Sequence, residues 1–189
     1  MAETVKRLSE TEISDIYTRY LVYDFPKNET KPLSAIKKAL KRGIYEAYGM
    51  YEGEKLAAYA FFVRCEGSYL LDYFAVSAER RGQGYGSLFL KKLKEIFKDA
   101  DSVTAEVEDP ERAEDGNEKE TREKRLSFYL RAGFCDTGVR VRTFGVDYMI
   151  IEMLPQDRTD EKEFRKRYLT FYKELCPRFI LKRVISFYD

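Results

Sequence analysis

Three glycines occupy alternate positions in Arg80-Arg81-Gly82-Gln83-Gly84-Tyr85-Gly86-Ser87, between the apolar run "YLLDYFAV" and the amphipathic run "LFLKKLKEIF". The flanking runs read as a strand and a helix, so the glycines fill a turn at a helix N-terminus. Backbone N–H groups in a first helical turn lack partners within the helix, and the helix dipole adds positive potential there. Glycine lets an anion approach that backbone without meeting a Cβ. Taken alone, the stretch is either an ordinary strand-to-helix turn or a phosphate or pyrophosphate site. Three glycines where one would do, led in by two arginines, favour the anion site. A dinucleotide fingerprint fails because Ser87 stands where its last glycine belongs, and no Gly-Lys-Ser/Thr follows to make a P-loop. A kinase glycine loop would need a catalytic His-Arg-Asp, which this chain cannot supply.

The 189 residues contain no histidine. That removes Ser-His-Asp and Cys-His nucleophilic systems, HExxH metal sites and histidine bases together. Acid–base chemistry falls to Glu, Asp, Tyr, Lys or Cys. Cys65, Cys135 and Cys176 are widely spaced and form no CxxC, which indicates neither a disulfide framework nor a thiolate zinc site, and no metal is expected. Lys and Arg number 34 against 33 Asp and Glu, so no dominant basic face points to nucleic acid. The N-terminus lacks an apolar signal-peptide core, and the longest apolar run, Ala57 to Val63, is too short to span a bilayer. With 44% hydrophobic residues the chain can build a core, and a cytoplasmic globular protein is the expectation.

The elements that must position the glycine turn follow from patterning. "ETVKRL" reads as a first strand. Ser9 and Glu12 make a capping-box signature opening a helix with Ile13, Ile16, Tyr17, Tyr20 and Leu21 on one side. Pro32 opens a second helix that turns Leu33, Ile36 and Leu40 inward and stops at Gly43. "IYEAYGMY", "LAAYAFFVR" and "YLLDYFAV" form an antiparallel meander. The post-glycine helix carries Phe89, Leu93, Ile96 and Phe97 on one face, "SVTAEVE" is a strand, and a further helix ends in "RLSFYLRAGF". Strands from Cys135 to Thr143 and Val146 to Leu154 close a domain of residues 1–154. The order β-α-α-β-β-β-α-β-α-β-β mixes a meander with one βαβ step, giving an α+β class with a mixed sheet. Residues 155–189 form an extension, with Thr159 capping a helix of Phe164, Tyr168, Phe171, Tyr172 and Leu175 that ends before Pro177. That helix packs on the domain or across a homodimer interface; a lid over a substrate pocket is the alternative.

Arg81-Gly82-Gln83-Gly84-Tyr85-Gly86 resembles the R/Q-x-x-G-x-G/A motif of the GCN5-related N-acetyltransferases (GNAT), of the bacterial small-molecule or protein type. Two neighbours extend the resemblance over residues 3–154. Phe74-Ala75-Val76 looks like the end of that family's fourth strand, and Phe128-Tyr129-Leu130-Arg131-Ala132-Gly133-Phe134 like its F/L-Y-x-x-x-G-F helix. The resemblance implies a mostly antiparallel mixed sheet that splays between strands 4 and 5, flanked by helices. It implies that Arg81 through Gly82, Gln83, Gly84, Tyr85, Gly86 and Ser87 hold the pyrophosphate of acetyl-CoA, and that Phe74, Ala75 and Val76 meet its pantetheine.

The implied reaction moves acetyl from the thioester to a primary amine by direct attack. An ammonium with a pKa of about 10.4 costs roughly 4–5 kcal/mol to deprotonate at pH 7, so a base or a desolvating pocket is wanted. By the resemblance Tyr129 is the acid for the departing thiolate, the backbone N–H near Val76 an oxyanion donor, and Glu106 a base. Asp72, which interrupts an apolar strand, is the other contender for the base. Alternation puts Glu106 and Glu108 on one face, so spacing does not separate those two. Residues 108–123 depart from the family pattern. They form a longer link with eight acids and three bases, which reads as a solvated segment entering a helix or as an acidic rim for a cationic amine. The readings that compete with an N-acetyltransferase are a non-catalytic acyl-CoA sensor and transfer of another acyl group or to a hydroxyl.

Overall fold

The computed structural model describes residues 3–27, 29–153, 161–176 and 178–188. The chain forms two compact units, one from residues up to 64 with 71–96, the other from 65–70 with residues from 97 onward. The α+β class and element order expected from patterning are present.

In the first unit β1 (Glu3–Arg7), β2 (Tyr45–Glu52), β3 (Lys55–Cys65) and β4 (Ser68–Val76) lie side by side in that order. The β1–β2 and β2–β3 pairs are antiparallel, with a bulge between Met50 and Tyr51. β2 and β3 are buried over Tyr45–Met50 and Ala57–Val63, which explains their near-continuous apolar runs. The capping box is formed: the Glu12 N–H donates to Ser9 Oγ at 3.3 Å, and the Ser9 N–H to Glu12 Oε2 at 2.8 Å. It opens α1 (Glu10–Ile16), which continues through one π turn, Tyr17–Leu21, into the short α2 (Val22–Asp24). Pro32 precedes α3 (Leu33–Lys41), which buries Ile36 and Ala39, while Leu33 and Leu40 sit at its half-buried margin. α4 (Tyr85–Ile96) buries Phe89, Leu90 and Leu93; Ile96, expected inward, is exposed.

In the second unit the order is β5 (Ser102–Glu108), β7 (Val146–Met153), β6 (Cys135–Thr143) and β8 (Ile185–Tyr188), all paired antiparallel. Val103, Ala105 and Val107 are buried on one face of β5, whereas Thr104, Glu106 and Glu108 point to the other. Asp115 caps α5 (Gly116–Arg131) by accepting from the Glu118 N–H at 2.8 Å. α6 (Glu161–Leu175) buries Phe164, Tyr168, Phe171 and Tyr172, the stripe read from the sequence, and α7 (Arg178–Val184) leads into β8. β8 was not expected from patterning. The boundary at 154/155, the Thr159 cap and Pro177 lie outside the described residues. Among the described residues no helix is long and apolar enough to cross a membrane.

Candidate active site

The glycine stretch connects β4 to α4. After a 3₁₀ turn over Ala78–Arg80, Gly82 (φ +73°) and Gly84 (φ +83°) take left-handed backbone that a side chain would strain. α4 starts with the Leu88 N–H donating to the Gly84 carbonyl at 3.0 Å, so the N–H groups of Tyr85, Gly86 and Ser87 fall in its unpaired first turn. A Cβ on Gly82 or Gly84 would meet nothing within 4 Å. The backbone here faces open space, which fits a site for a phosphate group.

The two arginines do not supply loose positive charge. Arg80 is paired with Glu52 and lies over the Tyr85 ring at 5.5 Å. Arg81 Nε donates to the Val76 carbonyl at 3.1 Å, and its NH2 reaches Asp24 Oδ1 at 2.7 Å. Arg81 thus ties the turn to the end of β4 and to α2, and Gln83 adds a 2.7 Å bond to the Glu79 carbonyl. Asp24 also accepts from the Tyr59 hydroxyl at 2.9 Å, a partner no sequence motif announced. Along the β4 end Phe74 stacks on Phe89 with centroids 5.7 Å apart, Ala75 is buried, and Val76 is half-buried.

The carboxylates diverge in their surroundings. Asp72, in the first unit, has its side chain 6% exposed, with Lys31 Nζ at 2.5 Å from Oδ1 and the Tyr45 hydroxyl donating to Oδ2. Burial, foremost, and the Asp72 charge push the Tyr45 phenol well above its ordinary pKa. Glu106, in the second unit, is half-buried and takes bonds from Tyr168 and Tyr172 of α6. Tyr129, also in the second unit, is buried on α5 between the rings of Phe128 (5.1 Å) and Phe134 (5.3 Å). Desolvation pushes its pKa up to about 12 against the opposing pull of Arg125.

The acidic stretch is ordered by basic partners. Arg122 donates to the Asp109 carbonyl at 2.7 Å and pairs with Glu118 at 2.8 Å, Arg125 pairs with Glu108, and Lys119 with Glu111. Asp109 caps the turn Pro110–Arg112 and accepts from Tyr188 of β8 at 3.2 Å.

Residues 11–134 match the family model described as acetyltransferase (GNAT) family. The chain belongs to the GNAT acetyltransferase family. A comparison with curated proteins found no match. Among solved structures, a protein of Bacteroides thetaiotaomicron assigned to the GNAT family superposes with a TM-score of 0.71 at 19% identity, covering 92% of this chain and 99% of its own. The ribosomal-protein-S18-alanine N-acetyltransferase of Escherichia coli gives 0.61 at 18% identity, covering 85% and 97%. A Bacillus subtilis acetyltransferase in complex with CoA gives 0.53 at 14% identity, covering 80% and 98%. These likenesses establish the GNAT fold. Of the residues expected from its motifs, Phe74–Val76 and Arg81–Ser87 come together in the first unit, joined through Arg81. Asp72 stands in that unit too, and Glu106 and Tyr129 belong to the second. Sequence reading missed Asp24, Tyr168 and Tyr172 as partners of site residues. The tyrosines' four-residue spacing in an aromatic stripe was visible, but as a packing signal.

Proposed function

We propose that this GNAT acetyltransferase moves an acetyl group from acetyl-CoA to a primary amine by direct attack. The observation that carries the reading is the turn at the start of α4, whose left-handed glycine backbone lies open at Gly82 and Gly84 in a chain of this family. Backbone N–H groups from Gly82 to Ser87 hold the pyrophosphate. Arg81 shapes the turn through Val76 and Asp24, and Phe74–Val76 meet the pantetheine. Arg80 and Arg81 are already paired, so the attraction for the anion rests on the backbone and the helix dipole.

Glu106 takes the amine's proton. Asp72 is assigned a structural part, because the Lys31 ammonium holds its carboxylate in an ion pair. Tyr129 donates a hydrogen bond to the departing sulfur. A phenol near pKa 12 keeps its proton at neutral pH, and against a thiol of about 8.5 it acts more as a hydrogen-bond donor than as a full acid. The E. coli protein is named as an alanine N-acetyltransferase and the B. subtilis one is in complex with CoA, which fits an amine acceptor and a CoA-borne donor.

A panel of amines, peptides and aminoglycosides with acetyl-CoA, followed by free-thiol release, tests the reading. Tyr129→Phe is expected to lower kcat by roughly 10²- to 10³-fold with acetyl-CoA affinity unchanged. Because the Tyr129 pKa is raised, its protonated form persists as pH rises, and the wild-type rate shows no alkaline fall from this residue below about pH 11. Normal turnover in Tyr129→Phe removes the donor assignment. Cofactor binding without thiol release across the panel replaces the enzyme by an acyl-CoA sensor.

A further inference from the structure

Glu106 stands on β5 with a hydrogen-bonded mounting that packing alone does not require. The Tyr168 hydroxyl donates to its Oε1, and the Tyr172 hydroxyl lies 2.8 Å from Oε1 and 2.9 Å from Oε2. The two tyrosines are four residues apart on α6, hence on one helix face, with ring centroids 5.2 Å apart. Tyr168 is braced in turn by Thr143 Oγ1 of β6 at 2.8 Å and by the rings of Phe164 and Phe187. Both tyrosines are buried. Desolvation first, and the Glu106 charge second, push both phenols well above their ordinary pKa, so they remain neutral donors at any working pH.

Phenylalanine would fill the same aromatic stripe without burying two hydroxyls, each of which costs free energy unless bonded. The hydroxyls converge on one carboxylate. A glutamate side chain loses rotamer freedom when fixed, and here that ordering is made in advance of any substrate. Hydrogen bonds donated to a carboxylate also favour its charged form, which is the form able to receive a proton. Glu106 nonetheless stays half-buried rather than fully buried.

We propose that Tyr168 and Tyr172 are positioning residues that orient the Glu106 carboxylate toward the acceptor amine, making the helix that follows the GNAT-matched region part of the acceptor machinery. The proposal rests on the assignment of Glu106 as base in the preceding section. The proton leaves the amine nitrogen for a Glu106 oxygen and passes from there to solvent; the tyrosines keep theirs.

The test uses the full chain with an alanine-terminated tetrapeptide and 1,4-diaminobutane as acceptors. Variants are Tyr168→Phe, Tyr172→Phe, both together, Glu106→Gln, and the triple combination. The double phenylalanine variant is expected to lose about 10- to 100-fold in kcat, as a misplaced base would, with acceptor KM within about threefold of wild type. In the Glu106→Gln background the same two changes are expected to cost nothing further. A readout free of turnover is the carboxyl signal of ¹³C-labelled glutamate assigned by its loss in Glu106→Gln. It is expected to be a distinct narrow line in wild type and to move to the shift of solvent-averaged glutamates in the double variant. Unchanged kcat, a loss that persists on Glu106→Gln, or a carboxyl line indifferent to the tyrosines overturns the positioning role. If the double variant does not fold, Tyr172→Phe alone is read by the same criteria, since Tyr172 contacts both oxygens. Wild-type protein that acetylates neither acceptor, nor any amine of the panel, overturns the acetyl-transfer reading itself and the positioning role with it.

Discussion

Two carboxylates that the sequence left as rivals have different neighbours among the described residues, an ammonium and a phenol at Asp72 and two phenols at Glu106. Asp72 interrupts an apolar strand, which looks like a functional exception, but its oxygens meet Lys31 and Tyr45. A buried carboxylate so paired is costly to disturb from one side, because its partners stay behind without it. Asp72→Asn is therefore expected to lower stability by roughly 1–3 kcal/mol in denaturant melts while leaving kcat, measured well below the melting temperature, within about threefold. A folded Asp72→Asn protein that has lost its turnover would return Asp72 to the role of base. The sequence could not make this distinction, since Lys31 and Tyr45 lie 41 and 27 positions away along the chain. The same holds at the arginines: "RR" before a glycine turn reads as free positive charge, and its neutralisation by Glu52 and Asp24 depends on tertiary placement.

At the level of elements, what repeats locally was legible and what depends on a distant edge was not. The capping box at Ser9, the proline entry to α3, the meander and the aromatic stripe of α6 all carry their signal within a few residues. β8 carries none. Its four residues become a strand because β6 offers an unpaired edge, with registers from Arg140↔Tyr188 to Thr143↔Ile185. The β6–β7 hairpin shows a local rule broken. Its two-residue loop, Phe144-Gly145, has both residues at positive φ, +50° and +89°, a turn that prefers Asn-Gly. Phe144 is 54% exposed, and its ring lies 6.3 Å from that of Tyr172. Left-handed backbone costs a bulky residue more than asparagine. Phe144→Asn is therefore expected to raise stability by roughly 0.5–1 kcal/mol, the loss of one exposed ring contact subtracting from the gain. A thermal melt checks the sign, and a clear fall in melting temperature would show that the Phe144–Tyr172 contact outweighs the strain.

For the molecule as a whole, the strongest consequence is linkage between cofactor and stability, which needs no knowledge of the acceptor. A ligand that binds the folded chain and not the unfolded one adds about 2.7 kcal/mol at one hundred times its Kd. In a chain of this size each kcal/mol moves the melting temperature by roughly 2–4 °C, so saturating acetyl-CoA is expected to raise it by about 5–10 °C. CoA itself should do nearly as well, because the proposed contact of the turn is with the pyrophosphate and not with the acetyl group. Gly84→Val separates cofactor binding from general ligand effects. Its β-branched side chain is strained at φ +83° and would stand in the open space over the turn, where nothing in the protein lies within 4 Å of a Cβ. The variant melts lower without ligand, and its shift with acetyl-CoA should fall to near zero. A full shift in Gly84→Val would move the pyrophosphate away from this turn, and with it the feature that made the family legible in the sequence.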